Sequence, residues 1–99
     1  MPVRTLELIH PGEILREEFL EPLGMSANAL ALGLRVPVTR ISEILRGHRS
    51  ITPDTALRLG RYFGTSADLW LGLQMEYDLR KARRELTPRI ERDVEPRPA

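Results

Sequence analysis

The sequence predicts an all-α fold of about five helices, and three observations carry that prediction. Apolar residues recur at three- and four-residue spacing along most of the chain, and no useful length of it alternates with period two. Prolines stand where the first turn of a helix tolerates them, at Pro11, Pro37 and Pro53. Ser26, Thr52 and Thr65 each precede a helix-like run, where a side-chain oxygen can cap free backbone N–H groups.

Taken in order, the first helix opens at Pro11 and is expected to run to about Glu21, stopping before Pro22, with Leu15, Phe19 and Leu20 inward. "EPLGMS" is a turn, and Ser26 caps the second helix, "ANALALGL". That segment has no charge, so protein should nearly surround it. "RV" breaks the chain, Pro37 opens the third helix, and Gly47 ends it ahead of the loop "RGHRSI". Thr52, Pro53 and Asp54 combine cap, first-turn proline and a charge suited to the helix dipole, and start a fourth helix that ends at Gly64. Thr65 with Asp68 fits a capping box for the fifth, which reaches about Leu86. The remainder, "TPRIERDVEPRPA", has three prolines, many charges and few aliphatics. It reads as a disordered tail, residues 87–99, behind a domain of residues 1–86.

A chain of 99 residues is one small domain, and 41% hydrophobic with 29% charged residues is the balance of a globular protein. Without cysteine, neither a disulfide framework nor a thiolate metal site can form. No apolar run approaches the roughly 20 residues of a membrane span, and "MPVRTLELIH" lacks a signal-peptide core, so a cytoplasmic location is expected. The net charge of +1 conceals a gradient. Residues 1–25 set Arg4 and Arg16 against Glu7, Glu13, Glu17, Glu18 and Glu21. Residues 26–52 set Arg35, Arg40, Arg46 and Arg49 against Glu43 alone. The basic middle suits either a polyanionic partner or plain solvation.

The second and third helices are joined by too few residues to turn back antiparallel. So short a connection sets them at a steep angle, as in a helix-turn-helix. Ala31 is small where the helices must cross, and Leu30, Val36, Ile41 and Ile44 supply apolar contacts. Opposite these, Thr39, Ser42, Glu43 and Arg46 share the outer arc, with Val38 and Arg40 at its margins. In a helix-turn-helix that outer face enters the major groove of DNA.

Residues 9–79 resemble a HigA-type antitoxin of the Xre-like, lambda-repressor-like helix-turn-helix family. The resemblance rests on "HPGEILREEFL", "RISEILRGHRSIT" and "TALRLGRYFGTSADLWLGLQ". It implies a protein that neutralises a cognate RelE-like toxin, usually an mRNA-cleaving HigB-type protein, and represses the shared operon as a dimer. One residue departs from the pattern: Arg35 stands in the turn where such motifs usually carry glycine. Either Arg35 accepts a left-handed conformation, costing about 1–2 kcal/mol, or the turn differs. Its guanidinium could also reach a phosphate.

On double-stranded operator DNA, Val38 and Thr39 are candidates for thymine methyls or a base-edge hydrogen bond. Glu43 could accept from a cytosine amino group, or instead pair with Arg40, Arg46 or a residue outside the motif. Arg46 or Arg40 could address guanine or a phosphate. His48 and Arg49 are candidate phosphate contacts. Ser26 and Asn28 open the second helix, whose free N–H groups suit a phosphate, although Ser26 also has its role as cap.

The fifth helix carries two apolar stripes. Leu69, Trp70, Leu73 and Tyr77 form one, which turns basic at Arg80 and Arg84; Leu71, Met75, Leu79, Ala82 and Leu86 form the other. Two opposed stripes imply two packing partners. The first is expected to cover the core. The second is expected to meet another copy of the chain, or to fold against the first helix.

An enzyme is disfavoured. His10 and Glu13 have helical spacing but lack an evident third ligand, so no metal or other cofactor is expected. The glutamates of the first helix read as a solvated face, and no phosphate-binding glycine loop occurs. A stand-alone repressor without a toxin partner would have the same fold.

Overall fold

The computed structural model describes residues 8–98, which form five helices and no strand. Helix α1 spans residues 11–23, as an α-helical start, Pro11–Ile14, a π-helical stretch, Leu15–Leu20, and a last turn, Glu21–Leu23. The others are α2 (Ala27–Leu34), α3 (Val38–Leu45), α4 (Pro53–Phe63) and α5 (Ala67–Asp93).

Helix α1 does not stop before Pro22, as its sequence suggests; it closes beyond it, at Gly24, with φ 61°. Ahead of the proline the N–H of Glu21 bonds to the carbonyl of Arg16, five residues back. This wider register keeps the turn bonded where proline has no N–H to give. At the other end His10 is the cap: its Nδ1 accepts from the N–H of Gly12 at 2.9 Å.

Ser26 Oγ caps α2 through the N–H of Ala29 at 3.0 Å. The helix ends at Arg35, with φ 60° and ψ 47°, the one non-glycine residue of positive φ among those described. Arg35 therefore accepts the left-handed turn. The turn is held by Arg35 N–H to the Leu32 carbonyl at 3.3 Å, Val36 N–H to the Ala31 carbonyl at 3.0 Å, and Arg58 Nη1 to the Leu34 carbonyl at 2.9 Å. Helices α2 and α3 pack through Leu30, Ala31, Leu34, Ile41 and Ile44, all buried. Gly12 of α1 lies so close to α3 that a Cβ there would sit 1.8 Å from the Ile44 carbonyl oxygen.

Leu15, Leu20, Ile51, Ala56, Leu59 and Trp70 complete the core. Phe19 lies between Phe63 and Trp70, with ring centres 4.9 and 5.0 Å away. Burying the Trp70 ring removes its N–H from water, and Thr65 Oγ1 accepts it at 2.9 Å. This displaces the cap expected from sequence. Ser66, not Thr65, caps α5, accepting from Leu69 N–H at 3.1 Å. Thr52 likewise precedes α4 without a side-chain cap bond.

Helix α5 also outruns its expected end at Leu86. It passes Pro88, losing one ladder bond, and continues to Asp93, which pairs with Arg89 at 3.6 Å. Residues 87–93, expected from sequence to be tail, are thus helical, and residues 94–98 have no regular structure. Its 27 residues extend about 40 Å at ~1.5 Å each. No helix among the described residues is long and apolar enough to cross a membrane.

Candidate nucleic-acid interface

The left-handed turn at Arg35 aims α3. With Ile41 and Ile44 buried beneath it, the helix turns Val38, Thr39 and Arg46 outward, exposed, while Ser42 and Glu43 are half-exposed. Thr39, Ser42, Glu43 and Arg46 line a shallow depression, together with Leu45 and with Ala27 at the start of α2. Ser26 and Asn28 flank Ala27 in the chain, and both are exposed at the start of α2. The candidate residues of α2 and of α3 thus adjoin one surface.

Arg40 and Glu43 are engaged by neighbours. Arg40 Nη1 donates to Asp54 Oδ2 at 2.6 Å, across from α3 to α4. Arg58 Nε donates to the same oxygen at 3.0 Å. These hydrogen bonds, Arg58 first, hold the Asp54 carboxyl below its ordinary range. The chain of Arg40, Asp54, Arg58 and the Leu34 carbonyl joins α3, α4 and the turn after α2. Glu43 Oε1 accepts from Arg49 Nη1 at 3.0 Å, so its partner is the loop arginine rather than Arg40 or Arg46.

The loop after α3 leaves it through Gly47, with φ 76°, and presents His48 and Arg49 to solvent. Gln74, buried on α5, accepts the Ile51 N–H at 2.8 Å and donates to Asp78 Oδ1 at 3.0 Å. Behind the loop, the His10 ring meets Tyr77 edge-on with centres 4.9 Å apart. Burial pushes the His10 pKa below its ordinary value, opposed by the Asp78 charge and a hydrogen bond to the Arg49 backbone.

Sequence reading missed Asp54, Arg58, Gln74 and Gly12 as parts of this assembly. Asp54 was legible only as a helix-dipole charge, and Gln74 gives no signal amid apolar residues. Gly12 had a usable one, a glycine within the first turn of a helix, where it costs stability unless something packs against it.

The two stripes of α5 divide unequally. Trp70 is fully buried and Leu73 and Tyr77 are half-buried, but Leu69 is exposed. On the second, Leu71, Met75, Leu79 and Ala82 line one apolar groove whose far wall is Ser50 to Pro53. Met75 is 61% and Leu79 42% exposed, so α1 does not cover them. Leu86, 47% exposed, lies one turn beyond Ala82. Among the described residues no three His, Asp or Glu side chains gather to hold a metal ion.

Comparison with known proteins agrees with this geometry. A family model described as helix-turn-helix matches residues 16–70. Virulence-associated protein I of Dichelobacter nodosus is 60% identical over 77 residues, 78% of this chain and 71% of that one. The Pseudomonas aeruginosa antitoxin HigA, solved with the higBA promoter, superposes with a TM-score of 0.88 at 48% identity, covering 91% of this chain and 98% of that one. An addiction module antidote protein of the HigA family from Coxiella burnetii gives 0.85 at 50% identity, over 90% and 97%. An outward α3 set by a left-handed turn, together with likeness along nearly the whole of these antitoxins, establishes that the chain belongs to the helix-turn-helix family, among the HigA-type antitoxins.

Proposed function

We propose that this chain is the antitoxin of a type II toxin–antitoxin pair. It binds its operator as a homodimer, represses the operon, and neutralises a HigB-like mRNA-cleaving toxin; it acts in the cytoplasm and is not an enzyme. The observation that carries the reading is that Thr39, Ser42, Glu43 and Arg46 on the outer arc of α3 line one depression with Ala27 at the start of α2, while Arg49 of the following loop bonds to Glu43 at its edge. Such a surface supplies phosphate contacts at both ends and base-edge contacts between them. Val38, Thr39 and Ser42 read bases, with Glu43 poised beside Arg49, and Arg46 addresses a guanine or a phosphate. Ser26, Asn28, His48 and Arg49 position the backbone. Arg40, held by Asp54, orients α3 and keeps its remaining N–H groups for a phosphate. Leu71, Met75, Leu79, Ala82 and Leu86 form the dimer seam, because a groove walled on one side by α5 and on the other by Ile51 and Pro53 is an apolar surface the monomer leaves open.

The test has two arms. The purified chain should bind DNA from upstream of its own reading frame more tightly than scrambled DNA of the same length. Co-expression should relieve the growth arrest caused by a short basic reading frame beside it. Failure of the first arm would remove the DNA reading; binding without rescue would make the chain a stand-alone repressor.

A further inference from the structure

His10 lies where three elements meet. Its Nδ1 caps α1 through Gly12, its ring rests on Tyr77 of α5, and it is hydrogen-bonded to the backbone of Arg49 in the loop after α3. Gly47, where that loop departs from α3, has its Cβ direction aimed at the His10 ring at 3.7 Å. His10 and Tyr77 also share a cleft with His48, Arg49 and Lys81. The cap sits next to Gly12, whose missing side chain allows α1 to touch the Ile44 carbonyl. One side chain therefore fixes both the end of the reading helix and the segment that carries the candidate phosphate contacts.

We propose that His10 is a positioning residue for DNA binding, which locks the Gly47–Ser50 loop in its DNA-competent form only while its ring is neutral. The proposal rests on the DNA-binding reading above.

The chemistry follows from the tautomer. Nδ1 accepts a hydrogen bond, so it carries no proton. Protonation there sets two donors face to face, abolishes the cap and forces the ring to turn, which breaks its seat on Tyr77 and its tie to Arg49. The titratable and charged groups sharing the cleft with the ring are His48 and Arg49 on the loop, and Asp78 and Lys81 on α5, with the Tyr77 phenol; on α1, Glu13 joins His10 by its backbone N–H, which donates to the His10 carbonyl. Asp78 favours the imidazolium, but burial outweighs it. The sign follows directly. A histidine whose folded pKa is lowered contributes stability in full above its unfolded pKa of 6.5, and that contribution is lost as pH falls through the folded value. His48, exposed on the candidate DNA face, is replaced in the test so that His10 is the histidine being followed.

Operator affinity is measured by fluorescence anisotropy at constant ionic strength from about pH 8 to about pH 5.5, the range histidine titrates. The full-length His48→Gln protein is compared with His10→Asn/His48→Gln. Asparagine keeps a capping oxygen but cannot titrate. Binding by the wild-type chain at the upper pH upholds the DNA reading whatever follows; its absence sinks that reading and this one together. Below the His10 transition His48→Gln should lose about fivefold in affinity, the worth of one cap, and the double variant should lose none. Parallel profiles, or a gain in affinity on acidification in His48→Gln, would overturn the proposal. If circular dichroism shows the double variant unfolded, the wild-type chain decides by NMR. The amide shifts of Gly47–Ser50 should then follow the His10 ring with one midpoint, and amides that ignore it would refute the lock.

Discussion

Arg40 Nη1 and Asp54 Oδ2, 2.6 Å apart, tie the first turn of the reading helix α3 to the first turn of α4. Arg58 completes the link, reaching Asp54 at 3.0 Å and the Leu34 carbonyl at 2.9 Å. The tilt of α3 is thus referred to α4 as well as to the left-handed turn at Arg35. Because these bonds favour the carboxylate, the folded pKa of Asp54 lies below 3.8. Its contribution is complete above that value and is lost as pH falls through the folded pKa. NMR should find the Asp54 midpoint below the ordinary value in the wild type and returned toward it in Arg58→Ala. Asp54→Asn should weaken operator binding while leaving the fold intact, since the group is exposed and its bonds lie at the surface. Equal affinity in that variant would mean that α3 needs no tether to α4.

Gly12→Ala should destabilise the protein by about 1–3 kcal/mol, the usual cost of overpacking. The added carbon meets the rigid Ile44 carbonyl rather than a flexible side chain. Urea denaturation measures it. An unchanged midpoint would show that α1 can move away from α3 at little cost.

The Arg46→Ala/Arg49→Ala double variant should lower the slope of log affinity against log salt by about two, because each phosphate left without its arginine subtracts ~0.9 of a released counterion. Affinities at several salt concentrations give the slope. If it does not change, these two arginines lie off the DNA.

Thr39→Ala and Glu43→Ala should separate two effects. Both should change which bases are selected from randomised operators, by about 1–3 kcal/mol at the contacted position. Glu43→Ala should in addition steepen the salt dependence, because Arg49 is released from its 3.0 Å ion pair toward phosphate. Recovery of the wild-type site by both variants would place base readout elsewhere.

Met75→Asp with Leu79→Asp should yield a folded monomer that binds a half-site weakly. Both side chains are exposed in the single chain, so the change should not disturb its core, unlike a change at Leu71, which packs against it. Sedimentation and circular dichroism test this together. A variant that remains dimeric would move the seam away from the groove.

The sequence by itself determined the helices, the short turn between α2 and α3 and the outward arc of Thr39, Ser42, Glu43 and Arg46. Spacing, caps and proline positions are local, and they act through bonds within a few residues. It could not determine how Arg35 would behave, since a left-handed arginine is tolerated only when the helices on both sides, and Arg58 from 24 residues beyond Leu34 in the chain, hold the turn. Likewise Thr65 was a cap by its position but went to Trp70, because a buried indole N–H without an acceptor costs more than a cap shifted to Ser66. Proline at 22 and at 88 signalled stops that did not occur. The pairing of Arg40 with Asp54, the buried bond of Gln74 to Ile51 and the place of His10 behind the Arg49 loop exist only once distant segments are packed together. Local physics chose the elements; long-range packing decided which side chains were left free to face a partner.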